Sequence, residues 1–254
     1  MKTIKVLALG GCHIAGYPVG EKYAFPQLFG RLLASEPGET VANIQLASLP
    51  QHLARVAEQR PSHVLLQLGN YECADSFRLL LRQLDSPALH KLSAGSAWSD
   101  WSARSATSSS TTNGDDQTAG AGTTAGAPGW RQTLHRGLRT AGLASLLLSL
   151  WVLGRRYRRA FAALNACIAQ NPDTVFLCLT PFPSLNPTIN TLRRLGGCLM
   201  QRRLAAHPNL QWLDTHRLLR PARQLFADES HLNQAAHEVV AHALVTLALR
   251  QEAL

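Results

Sequence analysis

Short apolar runs recur along the chain at Ile4–Leu9, Val41–Ala47, His63–Leu68, Thr174–Thr180 and Leu210–Leu213. Runs this brief, and rich in Val, Ile or Leu, have the pattern of strands buried on both faces. Between them the apolar positions fall at helical spacing. Pro26, Pro50 and Pro187 stand where a first helical residue is expected, and the last of these opens a stretch that runs to Ala206. Asn233 is a natural N-cap for a final helix with Val240, Ala243, Leu244 and Leu247 on its buried stripe. Strands that alternate with helices predict a parallel sheet covered on both sides. The expected architecture is therefore a three-layer, doubly wound α/β fold, with a five-stranded parallel sheet in flavodoxin-like order.

Two stretches interrupt the alternation. From Ser93 to Gly129 the chain is Ser, Thr, Gly and Ala with Trp98 and Trp101, and it has no Leu, Ile, Val or Met. Such a composition cannot bury enough apolar surface to offset its ordering entropy. Because strands lie on both sides of it, 93–129 is expected to be a disordered insertion within a single domain spanning 1–254. Ala141 to Arg159 is apolar nearly all round and then basic. It reads first as a buried helix whose arginines complement the helix dipole. The lesser alternative is peripheral membrane contact through Leu143 to Arg159.

Composition narrows the function classes. The 254 residues are 46% hydrophobic and 16% charged, which excludes global disorder. The net charge of +9 rests on Arg far more than Lys, scattered except for Arg155, Arg156, Arg158 and Arg159. No aromatic RNA-binding signature or zinc-finger spacing accompanies them, which argues against nucleic acid. The five cysteines form no C-x-x-C pair, against a disulfide framework or a zinc ribbon and in favour of a reduced compartment. The apolar stretch between Lys5 and Gly10 is too short for a secretory core, and Leu143–Leu153 is too short to span a bilayer. A soluble, cytoplasmic protein is expected.

In open α/β sheets, sites form beyond the carboxyl ends of the strands. Three such places carry reactive residues: Gly10-Gly11-Cys12-His13, Gly69-Asn70-Tyr71-Glu72, and Asp228-Glu229-Ser230-His231 ahead of the last helix. An Asp three residues before a His can hold one imidazole nitrogen while the other faces a nucleophile. Cys12, on a glycine-flanked strand-to-helix turn, is placed for a lowered thiol pKa. Asn70 offers a side-chain amide to a developing oxyanion. His13 is expected to point away from Cys12. His237 and His242 are five apart, miss a shared helical face, and so make no metal pair.

These segments resemble the sequence blocks of the SGNH/GDSL hydrolases. Val6 to Tyr17 is similar to the first block, Leu66 to Glu72 to the third, and Asp228-Glu229-Ser230-His231-Leu232-Asn233 to the fifth, Asp-x-x-His-Leu-Asn. The resemblance departs at several positions. Cys12 stands where the family has its serine, and Gly11 where it has an aspartate. The third-block asparagine falls strictly on Tyr71, with Asn70 one residue early. The second-block glycine has its nearest counterpart in Ser48, through its backbone amide. The resemblance implies an acyl-ester or thioester hydrolase, or an acyltransferase, using Cys12, His231 and Asp228. Ser48 and Asn70 would serve the oxyanion hole, the substrate would be a small-molecule, glycan or lipid acyl compound, and no cofactor or metal would be needed. The alternative is a catalytically lapsed binding module for an acylated glycan or lipid.

Overall fold

The computed structural model describes residues 4–34, 38–73, 155, 157–204, 206–220 and 222–252. All of them belong to one compact unit. The strands are β1 (Val6–Gly10), β2 (Glu39–Val41), β3 (His63–Gln67), β4 (Val175–Leu179) and β5 (Leu210–Leu213). They form an all-parallel five-stranded sheet in the order β2-β1-β3-β4-β5, the flavodoxin-like order expected from the alternation. The α-helices that lie whole within the described residues are α1 (Phe25–Leu32), α2 (Leu49–Gln59), α3 (Arg158–Gln170), α4 (Pro187–Arg203), α5 (Thr215–Leu219) and α6 (Gln234–Glu252), and residues 70–73 are also helical. The segment Ser93–Gly129 and the apolar run Leu143–Leu153 lie outside the described residues.

Every residue of β1 and β3 is buried, as central strands of a covered sheet must be. Val6, Ala8, Leu65, Leu177 and Leu179 share one core with Phe25 and Phe29 of α1 and with Ala236, Val240 and Leu244 of α6. Strand alternation sends Leu7, Leu9, Val64 and Leu66 to the opposite face. Helices α2 and α3 pack against each other there, where right-handed crossovers place them. Pro26 and Pro50 occupy the second residue of their helices and Pro187 the first. The side chain of Asn186 caps α4 by accepting from the Thr188 and Ile189 amides. Asn233 caps α6 by accepting from Ala236 N–H at 3.1 Å.

The second strand differs from its expected place. Val41–Ala47 is the predicted run, but β2 is Glu39–Val41 and ends where that run begins. Asn43 lies in the left-handed region at φ 59°, which breaks any extended continuation. Ile44 and Leu46 of the run are buried all the same. Ile44 N–H donates to the Gly10 carbonyl at 2.9 Å, and Leu46 N–H donates to Glu72 Oε1 at 2.6 Å. Apolarity here signals burial of a loop laid across the strand ends. Among the described residues no helix is long and apolar enough to cross a membrane.

His237 of α6 shows how polar groups enter this core. It is fully buried, stacks on Phe25, and its Nδ1 accepts the Phe25 N–H at 3.1 Å. Burial holds its pKa at about 4, against an ordinary 6.5. Between those values the unfolded chain binds a proton that the folded chain refuses. This contribution is therefore intact above pH 6.5 and is lost as the pH falls towards 4. Denaturant unfolding should show stability falling by about 1.4 kcal/mol per pH unit for each such histidine. His237→Gln, which can still accept from Phe25, should flatten the slope by about one proton's worth. An unchanged slope would show that His237 is accessible to protons in the folded state.

Candidate functional site

The site is built on the pairing of β1 with β3, which sets Gly10 opposite Gln67. A Cβ on Gly10 would lie 2.4 Å from the Gln67 carbonyl oxygen and 2.7 Å from Ile14, so only glycine lets the strand end this close. Immediately beyond, Gly11 N–H donates to Gln67 Oε1 at 3.3 Å. Cys12 follows on a succession of turns closed by Ile14 N–H to the Gly11 carbonyl and Tyr17 N–H to the Cys12 carbonyl. The strand-to-helix turn expected at Cys12 is longer than the sequence suggests. The first regular α-helix after Cys12 begins only at Phe25, so the turn that carries Cys12 does not itself open a helix.

What acts on the thiol is a set of side chains from other elements. His231 and Tyr71 both act on Cys12. Burial pushes the thiol pKa up, but the polar groups of His231 and Tyr71 and the nearby charges of His231 and Arg193 outweigh it and leave the value below that of an ordinary cysteine. Asp228 anchors the base. Its Oδ2 accepts from His231 Nδ1 at 2.7 Å, and its Oδ1 accepts from the Ser230 and His231 backbone amides at 2.7 and 2.8 Å. Burial would raise the Asp228 pKa, and these donors reverse it, so the carboxylate is held below its usual range. Burial likewise disfavours the His231 cation. The bonds to Cys12 and Asp228 overcome that and raise its pKa. Tyr17 sets its ring edge-on to His231 at 4.7 Å.

The structure thus brings Cys12, His231 and Asp228 together, and it commits the two expected oxyanion donors elsewhere. Ser48 N–H donates to the Gln45 carbonyl at 3.0 Å in the turn that opens α2. Asn70 is buried, its Oδ1 accepting Phe182 N–H at 2.8 Å and its Nδ2 facing His13 Nδ1 at 3.3 Å. Asn70 is a brace between the strand ends. The next residue, Tyr71, is the one at the thiol. Its ring carbons lie 3.5 and 3.9 Å from where a Gly11 Cβ would be, and the residue is 44% exposed. Burial, and then the bond to Cys12, raise the Tyr71 pKa, so its hydroxyl stays a donor. Gly69 turns the chain into this segment at φ 92°. A Cβ there would meet Met200 Sδ at 2.8 Å and Pro181 at 2.9 Å.

His13 also departs from expectation. It does not point away from Cys12: its Nδ1 is 3.5 Å from the Cys12 sulfur, and its ring lies 5.5 Å from His231 and 4.7 Å from Phe182. Total burial, with His237, His231 and Arg193 close by, keeps its pKa well below 6.5, so His13 is neutral. With Nδ1 accepting from Asn70, its proton sits on Nε2. Sequence reasoning missed Arg193 altogether. This residue of α4 is 7% exposed, and its Nη1 reaches the Phe182 and Pro183 carbonyls at 3.4 Å. The loop it braces is tied to the acid–base loop. Leu185 N–H and the Ser184 hydroxyl both donate to the Glu229 carbonyl, at 2.8 and 2.9 Å.

No protein-family model matches the chain, and no curated protein matches it. Solved structures do. A lipase, Lip_vut3, from a goat rumen metagenome superposes with a TM-score of 0.55 at 12% identity, covering 97% of each chain. A lipase/acylhydrolase from Enterococcus faecalis gives 0.53 at 13% identity, covering 98% of this chain and 97% of that one. A putative lipolytic protein of the G-D-S-L family from Desulfitobacterium hafniense gives 0.50 at 12% identity, covering 96% and 99%. At identities this low the likeness is one of fold, and the fold of this chain is that of the GDSL-type lipolytic hydrolases.

Proposed function

We propose that the protein is a hydrolase or acyltransferase of carboxylic esters or thioesters, with Cys12 as nucleophile, His231 as general base and acid, and Asp228 as the group that orients His231. The observation that carries this reading is the His231–Asp228 pair, with the carboxylate 2.7 Å from Nδ1, beside a Cys12 thiol whose pKa His231 lowers. The solved structures that share the fold are lipases and acylhydrolases by description, which agrees with it.

In this reading the thiol proton rests on His231 Nε2, and the thiolate attacks the acyl carbon. A C–S bond forms while the carbonyl π pair moves onto oxygen. The tetrahedral oxyanion collapses, the bond to the leaving alcohol or thiol breaks, and the departing atom takes the proton from His231. Water, or a second alcohol, then attacks the thioester as His231 receives its proton. Collapse of that second intermediate releases the acyl group and restores the thiol. The Tyr71 hydroxyl and the Cys12 backbone amide are the proposed oxyanion donors, in place of Ser48 and Asn70. A second reading, a non-catalytic module that binds an acylated ligand, is favoured by one observation: the Ser48 backbone amide and the Asn70 side chain are committed to other partners.

The reading is tested on p-nitrophenyl acetate. Cys12→Ala and His231→Ala should each lower kcat/KM by about 10³-fold or more, and Cys12→Ser should retain turnover. Absence of turnover in both the unaltered protein and the Cys12→Ser variant would favour the binding module. Tyr71→Phe, which keeps the ring, should lower kcat by about 10²-fold with little change in KM. An unchanged kcat would remove Tyr71 from the oxyanion hole.

Thiol chemistry gives an independent check. Burial pushes Cys73 up to about 12 and Cys167 to about 11, and raises Cys178 as well, so at neutral pH these stay protonated. Iodoacetamide should therefore modify Cys12 ahead of exposed Cys198 and leave the buried three intact. Its rate should rise with pH to a midpoint below that of a free cysteine. His231→Ala should move that midpoint up, and Asp228→Asn should do so less, because the carboxylate acts through the imidazole. Equal rates at Cys12 and Cys198 would show an unactivated thiol.

A further inference from the structure

Beyond the thiol site, the carboxyl ends of β4 and β5 carry a second concavity, a cavity of ≈ 550 Å³ between α4 and α5. Asn190, Arg194 and Gln201 line it from α4, and Asp214, His216 and Arg217 from the opposite wall. Neither Arg194 nor Arg217 has an ion-pair partner among the described residues. Asp214 is the carboxylate among the lining residues, and its Oδ1 already accepts the Arg217 backbone N–H at 3.1 Å. Asn190 gives its Oδ1 to Ser184 N–H at 3.1 Å, which leaves its NH₂ as the group it can offer a ligand. His216 Nε2 is buried with no hydrogen-bond partner. Arg193, the neighbour of Arg194, does not line the cavity and donates from its Nη1 to the Phe182 and Pro183 carbonyls.

A buried polar nitrogen left unpaired costs stability, and two exposed guanidiniums beside one carboxylate leave net positive charge facing the cavity. Planar guanidinium forks match an oxyanion in two-point geometry. We propose that this cavity is a binding site for a phosphoryl group, held by Arg194 and Arg217 with the Asn190 amide, and with His216 at its wall. A phosphate offers the several acceptor oxygens and the double negative charge that such a donor set requires. A simple carboxylate, with one charge and two oxygens, satisfies it less well. The site is separate from Cys12, so its occupancy does not depend on what the thiol does.

Inorganic phosphate is the probe, at constant ionic strength set with chloride, and the ring protons of His216 are followed by NMR alongside calorimetry. A saturable shift of His216 and a saturable heat are expected, with acetate at least about tenfold weaker. Arg194→Gln combined with Arg217→Gln should weaken phosphate binding at least about tenfold. Both residues are exposed, so folding should survive, and an unaltered melting midpoint with an unaltered Cys12 alkylation rate would verify it. The proposal is overturned by any of three results: no saturation, equal binding of acetate and phosphate, or undiminished phosphate binding in the double variant. Because Cys12 alkylation is measured in the same samples, a failure of this site is distinguishable from a failure of the thiol chemistry.

Discussion

The contact on which the rest depends is the closeness of β1 and β3 at their carboxyl ends. Parallel pairing runs to Gly10 opposite Gln67, and the absence of a side chain on Gly10 lets the two backbones meet there. The two segments that leave this point, 11–17 and 69–73, are forced to diverge from a common origin. That geometry sets Tyr71 across Gly11 and beside Cys12. The loop after β2 then closes over the same point through Ile44 and Gly10. A larger residue at position 10 would separate the strand ends and with them the segments that carry Cys12 and Tyr71.

Charge is distributed around that thiol with a clear division. The His231 pKa is raised by Cys12 and Asp228 against the effect of burial. His13 and His237, both within the same aromatic cluster as Phe25 and Phe182, are kept neutral by burial. Three histidines of similar intrinsic basicity therefore have distinct assignments because one has a carboxylate partner and two do not. Arg193 adds a cation that burial cannot easily neutralise, and it favours negative charge on Cys12 and Tyr71. The result is a pocket biased towards thiolate by side chains from several separate elements.

The sheet was legible because strands buried on both faces are nearly continuous in apolar residues, and because proline and asparagine marked the starts of α4 and α6. Val41–Ala47 misled for the same reason: a loop pressed onto the strand ends buries Ile44 and Leu46 as fully as a strand would. At the site, local spacing was enough for Asp228 and His231, since the acid and base are neighbours in sequence. Spacing did not distinguish Asn70 from Tyr71, because a one-residue difference at a left-handed glycine decides which side chain faces inward. Tyr71 held the position that matched the family asparagine, and that was the usable signal. His13 was missed because alternation along a strand does not extend into the turns that follow it. Arg193 gave no signal at all, as one arginine of an adjacent pair on a helix looks like its exposed neighbour.

The carbonyl of Glu229 receives two donors from the loop after β4, the Leu185 amide and the Ser184 hydroxyl. Through them the segment that presents the imidazole is spliced to one that lies 45 residues earlier in the chain. In a loop-exchange experiment the two behave as one cassette. Transplanting 228–233 alone into another scaffold of this fold would leave its backbone acceptor facing foreign donors, whereas moving 182–186 with it would carry the alignment along. Any redesign of specificity at this rim inherits that pairing as its smallest exchangeable unit.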